Sequence, residues 1–127
     1  MVDSNVELTR RIFDAFNDRD QDALLVLQAE DVVVESRLSA LEGAYHGHEG
    51  VRRWWDDLLG TFGDYRLEVD EMHEVSGGTI SYVRAAATSA ESATPLFDPY
   101  WIAMQWREGK LWHAYWHALI RARKPFR

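Results

Sequence analysis

The side chains able to move a proton are few in this 127-residue chain, and their spacing limits what they can do. There are five histidines and no cysteine. His113 and His117 fall on one face of an alternating, strand-like run, roughly 13 Å apart at about 3.3 Å per residue. That is too far to share a metal ion, and His46 and His48 flank Gly47 with no third ligand evident, so no metal is expected. His73 shares strand parity with Leu67 and Val69, which aims it, with Glu71, toward the core unless a bulge reverses the parity. An inward Glu71–His73 row would supply a base of tunable pKa; the alternative is an exposed pair at a sheet end. Tyr82 and Arg84 share a face with Ile80 and Ala86. There Arg84 could hold a carboxylate or enolate of a ligand, or equally bridge to Glu71 or Glu35. Asp98, between aromatics in Phe97-Asp98-Pro99-Tyr100, is better explained as a turn former. The chemistry these residues allow is acid–base catalysis without a cofactor. His117, His113 or His73 would be the base, and Arg84, Tyr82 or Gln105 the polarising partner.

Helices and strands must bring these groups together. Ser4 and Glu7 have capping-box spacing, and Leu8, Ile12, Phe13 and Phe16 form the apolar stripe of a first helix over 4–17. Asp20 caps a short second helix through about Gln28. Val32-Val33-Val34 begins the first strand, and residues 38–47 form a loop. A third helix over about 49–59 buries Val51, Trp54, Trp55 and Leu58, while Arg52/Asp56 and Arg53/Asp57 mark an ion-paired outer face. From Tyr65 the period falls to two. Strands are expected from Tyr65, from Ile80 to about Thr88, over 100–107 and over 110–120, with 89–99 a loop.

The final hairpin is the most informative stretch. A two-residue turn at Glu108-Gly109 pairs Arg107 with Lys110 and sets Trp101 opposite Trp116. One face then carries Trp101, Gln105, Trp112 and Trp116, and the other Ile102, Met104, Trp106, His113 and His117. Neither face is polar, so both need covering. Helices can cover one; a second copy of the chain is expected on the other, making a homodimer through the sheet. The element order implies an α+β fold. Three helices from the N-terminal half pack on a strongly curved, mainly antiparallel sheet, forming a cone with an internal pocket. Phe16, Trp54, Trp55, Tyr82, Trp101, Gln105, Trp112 and Trp116 are its expected aromatic and polar lining, suited to a small organic molecule.

Composition bounds the rest. The length predicts a single domain over 1–127. A formal net charge of −7 argues against a nucleic-acid partner. No apolar run approaches a membrane span, the first residues are charged, and the missing cysteines suit a reducing cytoplasm.

Four segments in order resemble the SnoaL-like branch of the nuclear transport factor 2-like superfamily. They are Ala15-Phe16-Asn17-Asp18-Arg19-Asp20, Ala29-Glu30-Asp31-Val32-Val33-Val34-Glu35, Tyr45-His46-Gly47-His48-Glu49-Gly50-Val51-Arg52 and Trp106-Arg107-Glu108-Gly109-Lys110-Leu111. The resemblance implies the cone fold and a ligand-accepting interior, but not one reaction, because the superfamily hosts isomerases, cyclases, dehydratases, hydrolases and non-catalytic members. Ketosteroid isomerases of this fold would place their base near Ser36, their helix-one tyrosine near Ile12 and their protonated aspartate at Ile102 or Ala103. All three groups are missing here. SnoaL-type cyclases place an acid near the end of the last strand, where this chain reads Trp116-His117-Ala118-Leu119-Ile120 and only a histidine could stand in. A non-catalytic binding protein or a dimeric interaction module is the alternative.

Overall fold

In the computed structural model, residues 4–36, 43–61, 64–88 and 95–118 are described. Among them, helix α1 (Asn5–Asn17) starts at the expected capping box: the Glu7 amide donates to Ser4 Oγ at 3.1 Å, and the Ser4 amide donates to Glu7 Oε1 at 3.2 Å. Asp20 caps α2 (Gln21–Val26) through the Ala23 amide. Between the helices Arg19 takes a positive φ of 61° and donates to the carbonyls of Phe16 and Tyr65. Burial is the main cause holding its guanidinium pKa below the usual arginine range, with Arg66 adding to it.

Among the described residues six strands form one mixed sheet. They are β1 (Gln28–Glu35), β2 (Tyr45–His46), β3 (Arg66–Val75), β4 (Gly78–Thr88), β5 (Pro95–Arg107) and β6 (Lys110–Ala118), in the order β2-β1-β6-β5-β4-β3. Only β1 and β6 run parallel; the other neighbours are antiparallel. Helix α3 (Gly47–Thr61) follows β2 directly. The three helices and the inner sheet face share one core, in which Phe16 meets Trp54, Trp55 and Tyr65 at 5.6 to 6.0 Å between ring centres. Asn17 ties α1 to β3 like a short strand, accepting from the Leu67 amide and donating to the Leu67 carbonyl. No helix among the described residues is long and apolar enough to cross a membrane.

Several boundaries differ from the sequence reading. The second helix ends at Val26, and Gln28 opens β1 instead of closing the helix. Tyr45-His46 pairs with Val34 and Val33, so part of the expected loop is a strand. Strand β5 begins at Pro95, not Tyr100, because 95–99 continue the ladder with β4. Residues 119 and 120, expected in the last strand, lie outside the described residues, as do 89–94.

Two bulges matter more than these boundaries. The Glu108-Gly109 turn forms with both φ angles positive, and Arg107 pairs with Lys110 as expected. Beyond Trp106↔Leu111, however, Gln105 pairs with His113, which leaves Trp112 as an extra residue on β6. Trp101 therefore lies opposite His117, and Trp116 opposite Ile102. A second shift, between Val69 and Glu71, makes Asp70 the extra residue of β3. A one-residue insertion moves every later side chain to the other face and increases local twist, which is how a ladder curls into a cone.

Candidate functional site

The concave face encloses a cavity of about 30 Å³. Helix α1 contributes Ile12, Phe13 and Phe16, α3 contributes Val51 and Trp54, and β6 contributes Leu111, Ala114 and Trp116. Met104 and Leu67 close it from the sheet. Among the described residues one polar side chain joins this otherwise apolar lining: Gln28, at the start of β1. Its exposure is 5 %, and its Oε1 has no hydrogen-bond partner among the described residues. Leaving such an oxygen buried and unmatched costs about 1–3 kcal/mol. At the other end of the cavity Trp116 is half-buried and tilts against Trp54, with ring centres 5.6 Å apart. Gln28 pairs with Leu111 beside the Glu108-Gly109 turn, whereas Trp116 lies five residues farther along β6, one of them the bulged Trp112, so roughly 13 Å at strand rise.

Of the residues expected to line the cavity, Phe16, Trp54 and Trp116 do so. Trp55 is buried against Phe16, one layer behind. Tyr82, Trp101, Gln105 and Trp112 are absent from the lining and follow the outer parity of the sheet. Tyr82 packs against Trp101 at 5.0 Å, Trp101 is buried, Gln105 is exposed, and Arg107 lies over the Trp112 ring. The reason is registry. Ser81, Val83, Ile102 and Met104 hold the inner positions of β4 and β5, so their neighbours point outward.

The titratable candidates are likewise drawn to the convex side. The bulge at Asp70 turns Glu71 and His73 into register with Tyr82 and Ile80, where His73 Nε2 and Glu71 Oε1 sit 3.1 Å apart, largely exposed. The bulge at Trp112 does the same for His113, whose Nε2 lies 2.6 Å from Glu35 Oε2 and whose ring stacks on Tyr115. Arg84 donates to Asp70 at 2.7 and 3.1 Å and reaches Glu68 at 3.5 Å, so its partners are neither Glu71 nor Glu35. The hydrogen bond from Arg84 holds the Asp70 carboxyl below the usual carboxylate range, and Asp70 in turn raises the Arg84 guanidinium. The His117 backbone pairs with Trp101; its side chain lies outside the described residues. The geometry thus does not gather His113, His73 and Arg84 into one centre. Among the described residues no three histidine or carboxylate side chains are grouped to hold a metal ion.

Two interior polar features were not found from sequence. Gln28 was hidden by the run Leu24-Leu25-Val26-Leu27, which reads as helix to its end. Thr9, Thr79 and Trp106 form a buried chain in which Trp106 Nε1 donates to Thr9 Oγ1 at 2.9 Å and the two hydroxyls lie 2.8 Å apart. Thr9 could have been suspected, because Thr9, Phe13 and Phe16 share one helical face at i, i+4, i+7.

The comparisons with known proteins agree with this architecture. The model of the SnoaL-like domain matches residues 9–114. The chain belongs to that family. Solved structures similar to this SnoaL-like chain include Bal32a from a soil-derived mobile gene cassette, at 21 % identity and a TM-score of 0.79 over 91 % of this chain and 89 % of that one. TerC, co-crystallised with polyporic acid, is 19 % identical with a TM-score of 0.79, covering 90 % of each chain. A putative polyketide cyclase from Sinorhizobium meliloti is 22 % identical with a TM-score of 0.69, covering 87 % and 94 %. At these identities the likeness is one of fold. No match is found among curated proteins.

Proposed function

We propose that this SnoaL-like protein binds a small, largely apolar organic molecule in the cup between α1, α3 and the inner sheet face. The observation that carries the reading is the described cavity lining, aromatic and aliphatic apart from Gln28. Such a lining with one polar group is the common pattern of small-molecule sites. A relative of the same fold, TerC, has been co-crystallised with a small organic acid, polyporic acid, which supports the reading. At about 30 Å³ the cavity is smaller than the roughly 150 Å³ that accepts a benzene ring, so binding requires side chains to move aside. Trp116, half-buried at the far end, is the side chain best placed to do so.

Binding is favoured over catalysis because the described lining of the cavity offers no acid or base, and the His113 and His73 rings are engaged by Glu35 and Glu71 outside it. A cyclase-type reaction, suggested by the fold of the polyketide cyclase relative, would draw on His117 as its base. Alanine at His117 that leaves any turnover intact would remove that version. The convex face carries Tyr82, Trp112 and Tyr115, with Tyr115 40 % exposed, and this aromatic row is proposed as a homodimer surface. The cytoplasmic location read from the sequence belongs to the same proposal. Native mass spectrometry of gently purified protein tests two parts at once. A dimer carrying a small organic adduct is expected. A clean monomer would end the dimer proposal, and a protein that retains and binds no organic molecule would end the ligand reading.

A further inference from the structure

The unmatched amide oxygen at the floor of the cup says what kind of ligand belongs there. Gln28 is held in place by the sheet: β1 pairs with β6 at Gln28↔Leu111, and the Leu111 amide donates to the Leu27 carbonyl next door. Its backbone carbonyl is also taken, by His48 Nε2 at 2.9 Å. The backbone at Gln28 is therefore fixed by contacts on both sides. Yet Oε1 is buried, has no partner among the described residues, and belongs to a residue whose fellow lining residues of the cavity are apolar. Water is a poor partner, because an ordered buried water typically makes two to four hydrogen bonds and the described lining offers one polar side chain. A ligand bearing one hydrogen-bond donor on an apolar body matches both features together.

The geometry points to Gln28 as the residue that orients the ligand, its Oε1 accepting a hydrogen bond from a hydroxyl or N–H at the buried end of an aromatic molecule. The inference rests on the ligand-binding reading of the cup. The rest of the ligand replaces the Trp116 indole against Trp54, Phe16 and Met104. Displacing an indole leaves room for a flat bicyclic body, and the roughly 13 Å between the levels of Leu111 and Trp116 lets such a body lie along the cup with its donor downward. Selectivity then comes from the floor: a body of the same shape without a donor leaves Gln28 as unmatched as before.

The test uses three probes of one shape, 2-naphthol, 2-methoxynaphthalene and 2-methylnaphthalene, titrated into the full-length protein and followed by tryptophan fluorescence and by two-dimensional NMR. Burial alone ranks the methyl compound tightest, since it is the most apolar. A hydrogen bond to Gln28 reverses that order, with 2-naphthol bound about three- to tenfold tighter than either relative. The Gln28→Met variant keeps length and removes the acceptor. It is expected to lose the preference for 2-naphthol, to keep the affinity for 2-methylnaphthalene, and to melt no lower than wild type, because an unmatched buried oxygen is gone. The wild-type ranking decides the matter even if that variant folds poorly. Wild type that binds all three in order of hydrophobicity overturns the role of Gln28 and leaves the ligand-binding cup standing. The same holds if Gln28→Met keeps the full preference. Failure of all three probes to bind overturns the cup itself, and this inference with it.

Discussion

The two faces of the one sheet are built on different physical terms. The concave face is held by packing. Phe16, Trp54, Met104 and Leu111 are buried, and its polar groups include the closed Thr9–Thr79–Trp106 chain and Gln28, whose Oε1 has no described partner. The convex face carries polar contacts that reach its surface: an ion pair of Arg84 with Asp70 and hydrogen-bonding contacts of His73 with Glu71 and His113 with Glu35. Burial makes an interaction strong and a missing partner costly, whereas exposure makes the same pairings weak. The residues that look most like catalysts in the sequence therefore sit where they contribute least, and the residue with most at stake is an unremarked glutamine.

Four substitutions can break or sharpen this contrast. The largest effect belongs to Phe16→Ala, which removes the ring shared by Trp54, Trp55 and Tyr65 and should cost about 3–5 kcal/mol in denaturant unfolding. Next is Thr9→Val, which strands Trp106 Nε1 and the Thr79 hydroxyl; a loss of about 1–3 kcal/mol is expected, with Thr9→Ser recovering most of it. A neutral Thr9→Val would mean the hydroxyl chain holds nothing. On the convex side His113→Ala should change stability by no more than about 1 kcal/mol and leave probe binding in the cup unaltered. Impaired binding in that variant would show that the two faces are coupled.

The smallest effect is expected from Arg84→Gln, and it has a pH signature. The Asp70 carboxyl is lowered by its hydrogen bond from Arg84, so the unfolded chain takes up its proton first as pH falls. The contribution is complete above the ordinary carboxylate range and is lost as pH falls through the lowered Asp70 value. Wild-type and Arg84→Gln unfolding curves should thus differ slightly near neutrality and converge in acid. A gap that persists in acid would mean Arg84 acts through something other than this pair.

Much of the fold could be read directly because local signals report local structure. Ser4 and Glu7 cap α1, Asp20 caps α2, and Glu108-Gly109 turns as its positive φ angles require. The site is less legible, for a definite reason. Counting from Leu67 turns His73 and Glu71 inward only if no bulge intervenes, and counting back from the hairpin turn puts His113 on the face of Met104 without saying which face is concave. Each count is a parity argument that one extra residue inverts, and Asp70 and Trp112 are those residues. Nothing in the local sequence marks either as a bulge, since a bulge is chosen by how much a sheet must bend to close over its helices.

What the sequence determined by itself was the inventory and its periods: the helices with their caps, the strands, an apolar demand on both sides of the last hairpin, and resemblance to a family whose model spans residues 9–114. Tertiary structure decided which side of the sheet each side chain occupies. It sent His73, His113 and Arg84 outward, brought Trp116 in against Trp54, and placed Gln28 in an apolar floor. The physical reason is range. Caps and turns are settled by neighbours three or four residues away, whereas facing in a curved sheet depends on register summed over whole strands, and one inserted residue reverses it.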